Sequence, residues 1–111
     1  MKNDSKSLIK DILNGIDKIE DSVKGRSLEE FIRSVKMQDA IIQRLRVIGE
    51  DVMDIPTEFK EKNAEVPWYR LTDIMNQLAY QSIGFKPVDI WIVVNNDLPL
   101  LREKISKIYR K

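Results

Sequence analysis

The chain has 111 residues, a length typical of one domain with one hydrophobic core. Apolar residues make up 42% and charged residues 33%, which favours a folded bundle with a solvated surface over a disordered chain. The 19 Lys and Arg nearly balance the 18 Asp and Glu, so the net charge of +1 provides no global attraction to nucleic acid or to a membrane.

The first predicted helix covers about residues 4–23, because apolar residues recur there at spacings of three and four. Asp4 or Ser5 can cap its start, since short polar side chains accept hydrogen bonds from the first free backbone N–H groups. Gly25 can end it, because glycine tolerates the left-handed conformation that terminates helices. The apolar residues are Leu8, Ile12, Ile16, Ile19 and Val23.

Two further helices and a helical turn are predicted before residue 64. Ser27 and Glu30 form a capping box that opens a short helix over residues 28–34. The strongest apolar stripe predicts a long helix that ends before Pro56, because the residue preceding a proline is disfavoured in helical conformation. A short helical turn over residues 56–63 follows. The stripe consists of Met37, Ile41, Leu45, Ile48, Val52 and Ile55.

Prolines mark the start of one of the last two predicted helices and an expected kink in the other. Pro67 opens the first of them, because proline is favoured at the first helical position, and a loop around Gly84 ends it. The second runs over residues 88–109, with Asp89 as its cap. We expect a kink at Pro99, which lacks an N–H group, and a role for Asp97 in supporting the backbone there.

Four main helices with short connections predict an all-α fold, an up-and-down four-helix bundle with one or two extra short helices. Residues 1–111 are expected to form a single domain. The sequence shows no internal repeat, no low-complexity run and no linker that would divide it.

Two residue types are missing from the chain, cysteine and histidine. Without cysteine there are no disulfides, no thiolate metal ligands and no cysteine nucleophile. Without histidine the chain lacks the commonest general base near neutral pH and the commonest metal ligand, so we expect no metal and no cofactor. The N-terminus has no signal-peptide core, and no apolar run approaches the roughly 20 residues of a membrane helix, so a cytoplasmic location away from membranes is expected.

Several short motifs occur in a fixed order along the chain. The stretch Gln38–Glu50 reads QDAIIQRLRVIGE, and a Val-Pro-Trp helix start follows at residues 66–68. Residues 84–89 provide a loose glycine-aromatic-x-x-Val-Asp element, and Trp91 precedes the Asp-Leu-Pro-Leu-Leu segment Asp97–Leu101. In this order and spacing, the motifs resemble those of the HepT-like branch of the HEPN domain family, over nearly the whole chain.

The resemblance implies a helical bundle that dimerises. Many family members are ribonuclease toxins, neutralised by a minimal nucleotidyltransferase called the MNT antitoxin. The family's catalytic motif is an arginine, four residues and a histidine, often with a tyrosine two positions further on. The segment Asn76–Leu78 fixes the register, which places Met75 at the arginine position, Tyr80 at the histidine position and Ser82 at the tyrosine position. All three differ from the motif.

This difference has a chemical consequence. Metal-independent RNA cleavage needs a group that accepts the proton of the 2′-hydroxyl and a cation that stabilises the negative charge developing on phosphate. Met75 provides neither, and Tyr80, with an ordinary pKa of about 10, is a poor base at neutral pH. We therefore expect a dimeric binding or regulatory module without the usual ribonuclease activity, with an MNT-type nucleotidyltransferase as partner and only weak support for RNA binding.

Two other interpretations stay open at this point. The chain could be an active ribonuclease with altered chemistry, or an engineered inactive form of a toxin that the nucleotidyltransferase neutralises. Alternatively, the partner could transfer a nucleotide to Tyr80 or Ser82, as happens at a tyrosine near the motif in some family pairs. A packing role for Tyr80 is favoured over this transfer.

Three polar residues are candidates for the former catalytic cleft. Glu50 could reach the cleft from the facing helix, lie on the helix surface, or pair with Arg44 or Arg46. Asn76 and Gln77 begin the former motif, and hydrogen bonds between helices are favoured for them over contact with a ligand.

Overall fold

The structure, a computed structural model, describes residues 4–80 and 86–110, without the side chains at positions 75, 78, 79 and 80. In this part of the chain α-helices follow one another with short connections, and a π-helical segment (Val93–Asp97) joins the last two. The predicted all-α bundle, with short helices added to the main ones, is confirmed. The helices are α1 (Ser5–Val23), α2 (Leu28–Arg33), α3 (Val35–Asp54), α4 (Thr57–Lys62), α5 (Trp68–Tyr80), α6 (Pro87–Ile92) and α7 (Leu98–Tyr109).

The helix ends follow the local signals in the sequence. Asp4 caps α1 by accepting a hydrogen bond from the Ser7 backbone N–H at 2.7 Å. Gly25 adopts a φ of +77° just after α1, a conformation that disfavours other residues. Ser27 and Glu30 form the predicted capping box, with hydrogen bonds of 3.1 and 2.8 Å. Each signal acts within three residues of the helix end, which is why the sequence alone predicts them.

The core is formed by one apolar stripe from each main helix. α1 packs against α3 and α7, and α3 also packs against α5. α1 and α3 approach each other closely at Gly15, where a Cβ atom would lie only 3.0 Å from Ile48 Cγ1. Phe31 of α2 is fully buried, and its ring centroid lies 5.3 Å from that of Trp91. No helix among residues 4–80 and 86–110 is long and apolar enough to span a bilayer.

The short helix α4 anchors the start of α5. The Trp68 indole N–H donates a hydrogen bond to the Asn63 carbonyl oxygen at 3.1 Å. The Asn63 side-chain amide in turn donates to the Phe59 carbonyl oxygen at 2.9 Å. Trp68 and Asn63 are both buried, so the polar groups that they bring into the core are satisfied. The tryptophan of the Pro-Trp motif therefore holds the start of α5 against the end of α4.

The last predicted helix is present from α6 to the end of α7, and the π-helical segment lies where the kink was expected. The Leu98 N–H bonds to the Val93 carbonyl, five residues earlier, rather than to a carbonyl four residues earlier. This wider turn comes directly before Pro99, whose ring would clash with the carbonyl four residues before it in a regular α-helix. The Asp89 carboxylate accepts the Lys86 N–H at 3.2 Å, so Asp89 helps to cap this helix from its third position, whereas the N-cap residue itself is Lys86.

Candidate functional site

The three family motif positions lie at the C-terminal end of α5 and just beyond it. Met75 is within α5 and Tyr80 is its last residue. Their side chains, and Ser82 as a whole, lie outside the described residues. The expected departure from the catalytic motif therefore rests on the identity of these three residues. The structure adds the positions of the described residues next to them.

Asn76 and Gln77 are exposed on α5. One turn and two turns earlier, Asp73 and Tyr69 are exposed on the same side as Asn76, and Tyr69 has 76% of its surface exposed. No hydrogen bond joins Asn76 or Gln77 to another side chain in the described ranges, so the interhelical hydrogen bonds stay a prediction. Tyr69, Asp73 and Asn76 thus form an exposed face of α5 among the described residues.

Glu50 lies on the surface of α3. Within the part of the chain that the structure describes, salt bridges involve neither Glu50 nor the two arginines suggested as its partners, Arg44 and Arg46. Of the three interpretations open for Glu50, exposure favours a helix-surface residue. Its negative charge nevertheless contributes to raising the pKa of the neighbouring Asp51 carboxyl.

Arg70, five residues before Met75, lies beside two carboxylates. Its Nη2 atom donates to Asp97 Oδ2 at 2.7 Å, and its Nη1 atom lies 4.0 Å from Asp73 Oδ2. A guanidinium paired in this way must give up a charge-assisted hydrogen bond before it can stabilise a phosphate. Asp97 thus pairs with a side chain of α5, a role different from the backbone support expected around Pro99.

Arg44 of α3 lies in a groove between α1 and α3. The groove has a volume of about 590 Å³, and no described α5 residue lines it. Two carboxylates from different helices, Asp11 and Asp51, also line it. Partial burial, followed by the charges of Asp11, Asp54 and Glu50, raises the pKa of Asp51 from 3.8 to about 6.

Sequence reasoning missed this groove, because Asp11 and Asp51 are far apart in the chain. Gly15 was a usable signal, since a glycine in the middle of a helix often marks a close approach by another helix. The acidic residues do not form a metal centre: no group of three or more potential ligands in the described ranges is arranged to hold an ion.

The fold and the ordered motifs define an all-helical bundle of the HEPN type. The family model of the HepT-like ribonucleases matches residues 12–108, and the chain belongs to this family. No solved structure is significantly similar to the chain.

Curated relatives support the same family. The chain is 35% identical over 108 residues to a gamma-glutamylcyclotransferase and proposed RNase of Methanocaldococcus jannaschii, covering 97% of this chain but only 49% of that protein. It is 32% identical over 108 residues to the probable ribonuclease HepT of Thermococcus cleftensis, covering 97% of this chain and 98% of the relative. A proposed RNase of Caldanaerobacter subterraneus is 32% identical over 89 residues, 80% of each chain. The chain therefore spans about half of the first relative and nearly all of the second.

Proposed function

We propose that this HepT-like protein keeps the scaffold and protein contacts of its family but lacks the usual ribonuclease chemistry. The observation that carries the proposal is the absence of histidine from all 111 residues, because no shift of the motif register can then supply the family's base. At the matching positions the sequence has Met75, Tyr80 and Ser82 in place of arginine, histidine and tyrosine.

The surroundings of the motif support this loss. Cleavage without a metal needs a positive charge beside the reacting phosphate. Such a group is most effective when it is already positioned there and does not have to break a salt bridge first. Arg70 is bound to Asp97 and lies near Asp73, so its charge is already balanced by carboxylates. Arg44 lies in the groove formed with α1, which no described residue of α5 lines. Neither of these two arginines is therefore a ready replacement for the motif arginine.

A module without catalysis can still act by binding. Two-fold symmetry through the region from Met75 to Tyr80 would place two α5 helices face to face, with the exposed ring of Tyr69 available for contact. The family partner, an MNT-type nucleotidyltransferase in the cytoplasm, fits this role, and the chain would act as the toxin-type component of the pair. Weak RNA binding without cleavage would be compatible with the nearly neutral net charge.

A cleavage assay tests the loss of activity. Purified protein is incubated with a fluorescently labelled RNA in EDTA, alongside an Arg70→Ala variant prepared in the same way. We expect no cleavage above buffer by either protein. Cleavage by the natural sequence that disappears in Arg70→Ala would revive the alternative of an active ribonuclease with altered chemistry, whereas equal cleavage by both would indicate a contaminant or a base elsewhere in the chain.

Copurification with the nucleotidyltransferase tests the partner. The two proteins are coexpressed, and the complex is compared with that of a Tyr69→Glu variant, which places a charge on the exposed face of α5. We expect a stable complex with the natural sequence. A chain that stays alone after coexpression would contradict the binding role.

A further inference from the structure

The groove between α1 and α3 has an ordered pattern of charge. On α1, Asp11 and Lys18 are seven residues apart, and on α3, Arg44 and Asp51 are also seven residues apart. Seven residues are two helical turns, or about 10 Å along the axis, so all four side chains lie on the groove side of their helices. Each helix therefore contributes one acid and one base at the same separation.

The two helices run in opposite directions along the groove. Gly15 of α1 lies beside Ile48 of α3. Asp11 is one turn before Gly15, and Asp51 is about one turn after Ile48. In antiparallel helices these two acids lie at the same end of the groove. The charge of Asp11 raises the pKa of Asp51, which shows that the two carboxylates are close. One end of the groove is therefore acidic, and the other, with Lys18 and Arg44, is basic.

Among the residues that the structure describes, these charges have no salt-bridge partner. In the described ranges, the salt bridges are formed by Arg70 and Arg102, and none involves the four groove residues. Like charges are instead neighbours at each end, which is unfavourable. Between the two ends Val47 is 48% exposed. A surface complementary to this groove would place basic groups opposite its acidic end, acidic groups opposite its basic end, and an apolar residue opposite Val47.

We propose that the α1–α3 groove is a contact between two copies of this chain, related by a two-fold axis that lies in the contact plane and crosses the groove at its midpoint. This axis reverses the groove of the second copy and keeps α1 opposite α1 and α3 opposite α3. Asp51 of each copy then faces Arg44 of the other, and Asp11 faces Lys18. The two Val47 side chains meet close to the axis.

A second copy fits better than an unrelated protein because the pattern is its own complement. Isologous contacts require that a patch match itself after a two-fold rotation, and the equal spacing of acid and base on both helices meets this condition. The contact goes beyond the proposed function, which concerns α5. No described α5 residue lines the groove, so the two contacts use different residues, and an assembly that forms both is larger than a dimer.

Exchanging the charges tests the contact. Arg44→Glu places two acids opposite each other in a homodimer, and Asp51→Arg places two bases opposite each other. We expect each single variant to weaken self-association at least tenfold, measured by sedimentation velocity at pH 7.5 and low ionic strength, where screening is weak. In an equimolar mixture of the two variants each like-charge pair becomes an opposite pair, so we expect association to return to within about threefold of the natural sequence.

Three controls keep the test decisive. Circular dichroism shows that each variant is folded, and Lys107→Glu, an exposed charge reversal on α7 outside the groove, should leave association unchanged. Tyr69→Glu reports the α5 contact separately, so failure of one contact is distinguishable from failure of the other. The proposal is overturned if the natural sequence is monomeric at about 100 µM, if both charge variants associate normally, or if the mixture associates no better than its components. A groove that binds a different protein would give the first or second of these results.

Discussion

Replacing Asp51 with asparagine should stabilise the folded monomer above about pH 4, with the full gain above about pH 6. Asp51 is partly buried beside other acids, and its pKa is raised from 3.8 to about 6 in the folded state. Between these values the folded protein binds more protons than the unfolded chain, so the free energy of unfolding falls as the pH rises from about 4 to about 6. At pH 7 the whole cost of the charged carboxylate is present.

The size of the effect follows from the pKa shift. A shift from 3.8 to about 6 converts to a limit of about 3 kcal/mol. Because the side chain is only partly buried and the neighbouring acids Asp11, Asp54 and Glu50 are exposed to solvent, screening reduces this to about 1 kcal/mol. Asparagine is a neutral side chain of nearly the same shape as the carboxylate, so Asp51→Asn should gain about 1 kcal/mol at pH 7 and almost nothing at pH 4.

Urea unfolding followed by circular dichroism at several pH values between 4 and 7 measures this effect. A low protein concentration, about 1 µM, is required, since self-association through the groove would place Arg44 of the second copy beside the carboxylate and reverse part of the cost. Asp39→Asn, an exposed acid on the same helix, is the matched control. A gain that is the same at pH 4 and pH 7, or a loss at pH 7, would refute the electrostatic account of Asp51.

Three other changes test packing and assembly. Gly15→Val should destabilise the fold by about 2 kcal/mol in thermal unfolding, because a Cβ alone would lie 3.0 Å from the facing isoleucine; unchanged stability would show that α1 and α3 are less closely packed. Phe31→Ala should cost about 3–5 kcal/mol, since the ring is fully buried in the core, and a loss below about 1 kcal/mol would contradict that burial. Charged residues at Met75 and Tyr80 should weaken an α5-mediated dimer on size-exclusion chromatography, and an unchanged elution volume would count against that contact.

The sequence predicted the features whose causes are local. The caps formed by Asp4 and by the Ser27–Glu30 pair involve groups three residues apart, and the apolar stripes depend only on helical periodicity. A kink was predicted at Pro99, and the structure has a π-helical segment that ends two residues before it, a form of turn that the proline alone does not predict.

Features that join distant parts of the chain were not predicted. Arg70 and Asp97 are 27 residues apart, and only the tertiary fold brings these two side chains together. The α1–α3 groove depends in the same way on the antiparallel pairing of two helices. The motif itself was found by resemblance to a family, because periodicity reports which residues are buried and does not report chemistry.

Restoring the motif is the most direct test of the central claim, that this family scaffold has lost its catalytic groups. The double variant Met75→Arg with Tyr80→His returns the arginine and the histidine to their family positions. In the labelled-RNA assay we predict no cleavage by the natural sequence and measurable cleavage by the double variant, with each single variant inactive. Cleavage by the natural sequence at a rate equal to or above that of the double variant would contradict the claim.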